Sequence, residues 1–470
     1  MKNQNRFSTP EQARIGKSSG VSLGIQWRTN KQLALTEESL SFSQILFFLL
    51  LHVPIMFIFR AAPVIATIHS LIVLLIGLVF LSRDERPTRV AWVLAYLAGA
   101  EILWRGVGAS LVSEYCKYAT ILLCVLVILK FRLMGRTTLW PLLFVALLIP
   151  GIIIAPKFDR QAISFQLAGL VALGMASLVF STLEFKKNDL QRLFLAIIAP
   201  TVSIAVYVAF LTDTTNTIFS GGGANEQVTG GIGANQVASA LSLGAMAAFF
   251  YIFLTGKDRR THNLMIVLLI GLITASIVTF SRGGLWNFVG ALGVGALFLM
   301  RSRQQLLKLL GSFLIIGLLG YFVVFPMLNS LTGGALLARY SDFDSTGRDV
   351  LFKIDYDLFL KNPVWGVGVG GSPVYHLATF GYLKPTHVEY GRLLAEHGSL
   401  GLAALALLAG VTLHRLFSHR QPISKAISTS FTVWALLYLA HSATRMVAPS
   451  FAFGLAAARF LPEEEKDENT

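Results

Sequence analysis

Charged side chains are scarce in this sequence. Only 14% of its 470 residues are Asp, Glu, Lys or Arg, whereas 54% are hydrophobic and the mean hydropathy is +0.65. A water-soluble protein of this length could not cover its surface with so few charges, but a lipid bilayer removes that requirement. The composition therefore excludes an ordinary soluble protein and indicates one that is embedded in a membrane.

Cysteine is almost absent. The two cysteines, Cys116 and Cys124, lie in one apolar segment and are too far apart on a helix to form a disulfide. This excludes a disulfide framework and a thiolate zinc site. The pair Asp355 and Asp357 forms an Asp-x-Asp, but both carboxylates fit the polar face of an amphipathic helix better than a metal site. We therefore expect neither a metal nor a cofactor.

An apolar segment typical of a cleavable signal peptide is missing from the polar residues 1–41. The net charge of +14 and the pI of about 9.8 could suggest a nucleic-acid partner. The positive charges, however, fall in short clusters between apolar runs, which is the pattern that orients membrane proteins. We therefore expect a lipid bilayer and no nucleic acid as partner.

Apolar runs long enough to cross a bilayer, or nearly so, follow one another along the chain. A shorter run at 448–460 could complete a return to the first side. The sequence thus predicts an all-α polytopic membrane protein with about 12–14 transmembrane helices, with spans at 42–60, 61–81, 89–104, 110–129, 138–155, 162–183, 192–211, 235–255, 263–280, 283–300, 306–326, 399–417 and 424–446.

The distribution of positive charge predicts the orientation of these spans. With the N-terminus in the cytoplasm, 26 of the 39 Lys and Arg residues fall on the cytoplasmic side. Six of the others lie in one long loop, and long loops count little in the positive-inside rule. The sequence therefore predicts a cytoplasmic tail, a helix bundle, a long periplasmic loop, C-terminal spans and an acidic cytoplasmic tail at 1–41, 42–326, 327–398, 399–460 and 461–470.

Two of the predicted periplasmic segments are longer than a simple connection requires. Residues 212–234 are rich in Gly, Thr and Asn, and residues 327–398 can hold helices of their own. Within the long loop, the spacing of apolar residues in 348–360 predicts an amphipathic helix at the membrane surface. The glycine run 366–371 is either a plain loop or a turn whose backbone amides approach an anion.

Charged groups at membrane depth cost about 2.5–3.5 kcal/mol each on insertion scales, which makes them functional candidates. Arg282 lies between two apolar runs and is followed by two glycines, a setting that suits a phosphate. Glu101 and Arg105 are four residues apart and can pair with each other. The remaining candidates fit better as snorkelling helix ends: Arg60, Lys117 and Arg445.

Residues 385–398 are predicted to begin the helix that leads into the next span. On that helix His387 would share a face with Gly391, and Glu389 would share one with Arg392. A histidine here can act as a general base or bind a phosphoryl oxygen, or it can be a plain polar cap. The other histidines, including His441, are scattered or cytoplasmic and have no metal-ligand spacing.

Four motifs, taken in order, resemble the O-antigen ligase and polymerase superfamily. Their order and spacing carry the resemblance, which covers about residues 230–460 in motifs and the whole chain in hydropathy. The motifs are Ser281-Arg282-Gly283 at a span junction, Thr346-Gly347-Arg348 at a helix start, Asn362-Pro363-x-x-Gly366-x-Gly368, and His387 followed by Leu394-Ala395-Glu396-x-Gly398-x-x-Gly401.

The resemblance implies a GT-C-like protein of the bacterial inner membrane. Such a protein transfers a glycan from an undecaprenyl-pyrophosphate carrier to a glycan or lipid acceptor on the periplasmic face, without a metal or a nucleotide sugar. Arg282 and Arg348 would bind the diphosphate, with Arg339 and Arg392 as further candidates, and His387 would lie near the acceptor. The family usually has Asn after the histidine. Here Val388 and then Glu389 follow, which makes Glu389 a candidate to share the role of base.

Other functions remain open at this stage. A polymerase of lipid-linked repeat units for O-antigen or exopolysaccharide differs from a ligase in its acceptor, and the sequence does not separate the two. A polysaccharide transporter or flippase would require inverted repeats and charges at mid-depth, and the sequence has no evident internal repeat. A purely structural scaffold would not need the arginines.

Overall fold

The computed structural model describes most of the chain from residue 39 to residue 461, and the structural statements below concern those residues. Nearly all of both predicted cytoplasmic tails, part of the predicted span 306–326 and the motif residue Thr346 lie outside them. The internal residues that are not described are 84–85, 134–138, 157–158, 213–217, 220, 300–306, 308–309, 312–313, 315–316, 319, 343–346, 382–385 and 419–420.

The N-terminal two thirds of the described chain consist of long helices joined by short links. A three-residue strand, β1 (Glu184–Lys186), precedes the eighth helix, and a 3₁₀ turn at Gln227–Thr229 precedes the ninth. The helices are α1 (Phe42–Ala61), α2 (Pro63–Arg83), α3 (Thr88–Gly106), α4 (Tyr115–Phe131), α5 (Trp140–Leu148), α6 (Pro150–Ile153), α7 (Arg160–Phe180), α8 (Lys187–Leu211), α9 (Ala234–Leu254), α10 (Arg259–Val278) and α11 (Arg282–Leu299).

The C-terminal third contains shorter helices and then two long ones. A π-helical turn at Gly320–Val324 opens it, and strand β2 (Arg459–Leu461) closes it by pairing in parallel with β1. The helices are α12 (Phe325–Leu331), α13 (Ala335–Ser341), α14 (Arg348–Lys361), α15 (Ser372–Phe380), α16 (Glu389–Phe417), α17 (Pro422–Ser442) and α18 (Ala448–Leu455).

Nine helices of the described chain are long and apolar enough to cross a membrane: α1, α2, α7, α8, α9, α10, α11, α16 and α17. The segment Gly320–Leu331 and α13, which meet at 116°, would together make a tenth. The prediction of an all-α polytopic membrane protein is confirmed. The predicted 12–14 spans also require α3, which carries three charged residues, α4 and the broken pair α5–α6 to cross.

Glycines allow the central helices to pack closely. A Cβ at Gly99 in α3 would lie 2.8 Å from the carbonyl oxygen of Ile197 in α8. A Cβ at Gly284 in α11 would lie 2.5 Å from the Cβ of Ala238 in α9. Because lipid tails are as apolar as leucine, close backbone approach replaces the hydrophobic effect as the force between such helices. Helices α8 and α9 are mostly buried, whereas only 28% of the apolar window of each of α1, α2, α10 and α16 is buried inside the protein.

A chain of hydrogen bonds joins α1, α2 and α3. The Trp104 Nε1–H can only donate, and it donates to His69 Nδ1 at 3.1 Å. His69 Nε2–H then donates to Tyr96 Oη at 3.4 Å, and the Tyr96 hydroxyl to His52 Nε2 at 3.0 Å. His52 Nδ1–H ends the chain on the Phe48 carbonyl at 2.8 Å. The chain begins at a group that can only donate, the Trp104 N–H, and ends at one that can only accept, the Phe48 carbonyl, and this sets the direction of every bond between them. Both imidazoles therefore have hydrogen-bond partners as neutral groups.

The amphipathic helix predicted in the long loop is α14. It packs against the first turns of α16, and its buried stripe consists of Leu351, Asp355 and Leu358. The prediction that Asp355 lies on the polar face is therefore wrong, although Asp357 is exposed as expected. Asp355 Oδ1 accepts hydrogen bonds from the Ser372 hydroxyl and from His376 Nε2, the latter at 3.0 Å, and these partners allow its burial.

The glycine run 366–371 does not present its amides to a ligand, so the anion-binding alternative is wrong. The amides of Val367 and Gly368 donate to the carbonyls of Ala395 and Glu396 at 2.8 and 3.1 Å. The Gly370 amide donates to the Glu396 carboxylate at 3.0 Å. The turn binds the protein's own carboxylate, and it does so where α16 breaks at Gly398, whose φ is 58°.

We predict that Tyr96→Phe destabilises the protein by about 1–2 kcal/mol, because it leaves a donor on His69 and an acceptor on His52 without partners. Thermal unfolding of the purified protein in detergent measures the effect. Tyr375→Phe is the matched control, since Tyr375 is half-exposed and makes no hydrogen bond with the described residues. Equal melting temperatures for the two variants would contradict the proposed chain of bonds.

Candidate functional site

The link between α10 and α11 places Arg282 at one end of the bundle, called here the site end. Phe280, in this link, has a φ of 59°, a left-handed conformation that a bulky residue adopts only when its surroundings impose it. The Phe280 carbonyl accepts a hydrogen bond from Arg339 Nε at 3.1 Å. The Phe219 ring stacks on the Phe280 ring with 5.4 Å between centroids. These contacts hold the turn from which Arg282 starts α11.

The predicted Gly/Thr/Asn-rich segment also packs against this link. The Asn225 amide donates to the Thr279 carbonyl at 3.0 Å, and the Asn225 side chain caps the short 3₁₀ turn that follows it. The Ser281 hydroxyl donates to Asn235 Oδ1 at 2.7 Å, which connects the link to the start of α9. The described part of this segment therefore supports the position of Arg282.

Arg339 has a different environment from the other predicted arginines. Its side chain is buried in α13, and besides its bond to Phe280 it lies 3.7 Å from a carboxylate oxygen of Asp342. Arg339 therefore supports the turn before Arg282 and adds positive charge beside it.

Arg348, the first residue of α14, lies in a cluster of positive charge. Burial, and then the charges of Arg282, Arg339 and Arg445, lower the pKa of the Arg348 guanidinium. Among the described residues, its side chain has no hydrogen-bond or ion-pair partner. The structure thus brings together three arginines that were predicted from separate segments. We call these three and Arg445 the arginine cluster.

Arg445 was predicted to be a snorkelling helix end, and the structure corrects this. It lies in the connection 443–447 between α17 and α18, called here the α17–α18 turn, and its Nη2 donates to the Thr386 carbonyl at 3.3 Å. Burial lowers the pKa of the Arg445 guanidinium. The side chain therefore bonds to the segment that carries His387 and faces the protein, where a snorkelling side chain would face water.

His387 precedes α16, which begins at Glu389, so the prediction that His387 and Gly391 share a helix face is wrong. The His387 carbonyl accepts a hydrogen bond from the Ala443 amide at 3.1 Å. Ala443 has φ 51° and ψ −160°, a conformation that is rare for any residue except glycine. The imidazole is half-buried. His387 thus lies next to the α17–α18 turn and, through Arg445, beside the arginine cluster.

Glu389 and Arg392 share a helix face, as the sequence predicted, but they form a buried ionic group with Glu396. Arg392 Nε donates to Glu389 at 3.2 Å, its Nη1 to Glu396 at 2.8 Å, and its Nη2 to the Gln166 carbonyl at 3.0 Å. All three side chains are almost inaccessible to solvent. These contacts engage both oxygens of Glu389 and place Arg392 in an ionic group of its own, although the Glu389 charge also acts on Arg445.

His441 was grouped with the scattered histidines, yet the structure places it beside Arg282. Its ring packs on Gly283, where a Cβ would lie 2.7 Å from the imidazole Cε1. His441 Nε2 is 3.1 Å from Asn287 Oδ1 and its Nδ1 is 3.0 Å from the Ser442 hydroxyl, so the Nε2–H donates and Nδ1 accepts. No local pattern in the sequence signals this position, because Asn287 lies 154 residues away in the chain.

The arrangement is suited to an anion that carries more than one negative charge. Guanidinium groups bind phosphate oxygens through paired, charge-assisted hydrogen bonds, and half-burial strengthens such bonds. Within the described ranges, no group of three His, Cys, Asp or Glu side chains could hold a metal ion. The chemistry that the cluster itself offers is charge neutralisation beside a histidine.

Comparison with known proteins gives one match. Residues 265–406 match the family model described as O-Antigen ligase. No curated protein and no solved structure matches the chain. The matched residues run from α10 into α16 and include Arg282, Arg339, Arg348 and His387. This match confirms the resemblance found in the sequence motifs: residues 265–406 of this multi-pass membrane protein are similar to the O-antigen ligase and polymerase superfamily.

Proposed function

We propose that the protein transfers a glycan from an undecaprenyl-pyrophosphate carrier to an acceptor hydroxyl at the periplasmic face of the bacterial inner membrane. The observation that carries the proposal is the convergence of Arg282, Arg339 and Arg348 at one end of the bundle. A diphosphate attached to a membrane lipid is an anion that such a cluster, at a membrane surface, could bind.

The arginines would act on the leaving group. Breaking the bond between the anomeric carbon and the phosphate oxygen leaves additional negative charge on the pyrophosphate. Arg282 and Arg348 would neutralise that charge directly, while Arg339 would act mainly by holding the turn that carries Arg282. This scheme requires no metal, because the guanidinium groups supply the positive charge.

His387 would act on the acceptor. The acceptor hydroxyl oxygen forms a bond to the anomeric carbon, the carbon–phosphate oxygen bond breaks, and undecaprenyl pyrophosphate leaves with the bonding electrons. The hydroxyl proton passes to the imidazole of His387, a half-buried residue whose backbone bonds to the α17–α18 turn that carries Arg445. Glu389, whose two oxygens accept from Arg392, is the weaker candidate for base.

The positive-inside pattern supports a periplasmic site. With the N-terminus in the cytoplasm, the C-terminal end of α3 and the N-terminal ends of α9 and α11 lie at the periplasmic side. Contacts among Arg105, Gln236 and Arg445 support the view that these ends share one side with the arginine cluster. Both termini would then be cytoplasmic.

We predict that Arg282→Ala and Arg348→Ala each lower the rate of glycan transfer at least about 100-fold, because each removes a charge that stabilises the leaving group. The lysine variants should retain part of the activity, since lysine keeps the charge but loses the paired donors. The measurement uses purified protein and lipid-linked donor without nucleotide, conditions under which a transporter would form no product.

Arg60→Ala is the matched control for these variants. Arg60 is exposed in the last turn of α1, where it lies over the rings of Tyr207 and Phe210 and outside the arginine cluster. The Arg60→Ala variant should transfer glycan at the wild-type rate. Normal transfer by both Arg282→Ala and Arg348→Ala would exclude the proposed site.

We predict that His387→Gln lowers kcat by about 100-fold or more and leaves the KM for the lipid-linked donor nearly unchanged, because a base acts on the acceptor and not on donor binding. Steady-state kinetics with donor and acceptor varied separately measure both constants. A rise in donor KM with unchanged kcat would assign His387 to phosphate binding instead.

The glycan profile of a deletion strain separates a ligase from a polymerase, the alternative within the same family. Loss of a ligase should leave long glycan chains on the lipid carrier, because polymerisation continues without transfer. Loss of a polymerase should leave single repeat units on the final acceptor. Gel banding of the carrier-linked and acceptor-linked fractions gives the answer, and unaltered banding in both fractions would contradict either function.

A further inference from the structure

The last turns of α3 hold the α17–α18 turn in place. Glu101 is buried, and its Oε2 accepts a hydrogen bond from the Val447 amide at 2.6 Å. Arg105 Nη1 donates to the Arg445 carbonyl at 3.2 Å and to Gln236 Oε1 at 2.9 Å. The sequence predicted that Glu101 and Arg105 pair with each other. They do form an ion pair, with 3.7 Å between Arg105 Nη1 and Glu101 Oε1, and each side chain also bonds to the turn.

The α17–α18 turn needs such support, because Ala443 has a conformation that its own side chain disfavours. Close packing on α7 adds to it, since a Cβ at Gly169 would lie 2.4 Å from the Thr444 Cβ. Side chains from α3 and backbone from α7 therefore determine the shape of this turn together.

The α17–α18 turn also holds the segment that carries His387. The Ala443 amide donates to the His387 carbonyl at 3.1 Å, and Arg445 Nη2 donates to the Thr386 carbonyl at 3.3 Å. A continuous series of hydrogen bonds thus runs from Glu101 and Arg105, through the turn, to the proposed base. A displacement of the turn would move His387 and Arg445 together.

Arg445 also has binding capacity that the protein does not use. Its Nε is buried and has no hydrogen-bond partner in the described chain. Its charge acts on Arg348, whose side chain likewise lacks a described partner. Two guanidiniums at the site end, each with donors that no described residue uses, suit the oxygens of one polyvalent anion.

We propose that Arg445 is a further diphosphate-binding residue of the arginine cluster, and that Glu101 and Arg105 are positioning residues that align Arg445 and His387 with Arg282 and Arg348. This inference rests on the proposed function, because it assigns Arg445 to the same donor diphosphate. Glu101 and Arg105 would touch neither substrate.

The test for Arg445 uses the full-length protein in nanodiscs and inorganic pyrophosphate as an inhibitor of glycan transfer. Arg445→Ala should raise both the donor KM and the pyrophosphate inhibition constant about tenfold or more, the loss expected for one charge-assisted bond. Arg445→Lys should restore part of the affinity, whereas Arg60→Ala should change neither constant. A purely structural role would lower the melting temperature without this change in the two constants.

Arg282→Ala serves as the reference that separates the two proposals. If it weakens pyrophosphate inhibition and Arg445→Ala does not, Arg445 is not part of the binding site, although the proposed function stands. If neither variant affects inhibition or transfer, the proposed function itself fails. Inhibition weakened by both variants supports the assignment of Arg445.

The positioning role is tested by a pair of variants at Glu101. Glu101→Gln keeps an oxygen that can accept from the Val447 amide and should retain most of kcat, whereas Glu101→Ala should lower kcat about tenfold or more with a smaller change in donor KM. If Glu101→Ala does not fold, the kcat and donor KM of Glu101→Gln and Arg105→Lys still test the positioning role. Equal loss in Glu101→Gln and Glu101→Ala, or full activity in both, would contradict the hydrogen-bonded positioning role.

Discussion

The site depends on holding like charges together against their mutual repulsion. Burial and three neighbouring guanidiniums disfavour the charged form of Arg348, yet the fold keeps all four arginines at one end of the bundle. It does so by attaching neighbouring residues to backbone groups: Arg339 bonds to the Phe280 carbonyl, and Arg105 bonds to the Arg445 carbonyl. The repulsion costs free energy while the cluster has no ligand, and a bound anion would relieve it. An anion with several negative charges would relieve more of it, so the cluster favours polyvalent anions.

Backbone strain accompanies this arrangement. Three non-glycine residues of the described chain have positive φ, and two of them, Phe280 and Ala443, adjoin the site. Each costs about 1–3 kcal/mol and persists because several contacts impose it. Phe280 precedes Arg282 by two residues, and the Ala443 amide bonds to His387. The strain therefore falls where the proposed phosphate-binding and acceptor-side residues require exact placement by the scaffold.

Two buried carboxylates near the site stabilise the fold. The Glu396 carboxylate bonds to Arg392 and to the glycine turn at Gly370, and the Asp355 carboxylate bonds to His376 and Ser372. A buried charge requires such partners, because desolvation without them costs several kcal/mol. These groups join α14, α15 and α16 into one unit on which the proposed catalytic segment rests.

Hydropathy and short motifs depend only on neighbouring residues, so they were enough to predict the membrane class and most of the helices and to single out Arg282 and Arg348 as candidates. Which charged groups meet is visible only in the folded chain. Arg105 and Arg445 are 340 residues apart in the chain, and Glu101 and Val447 are 346 residues apart. No local pattern connects the members of either pair. The same limit hid the position of His441 against Gly283, because a side chain's role depends on neighbours that folding brings from distant segments.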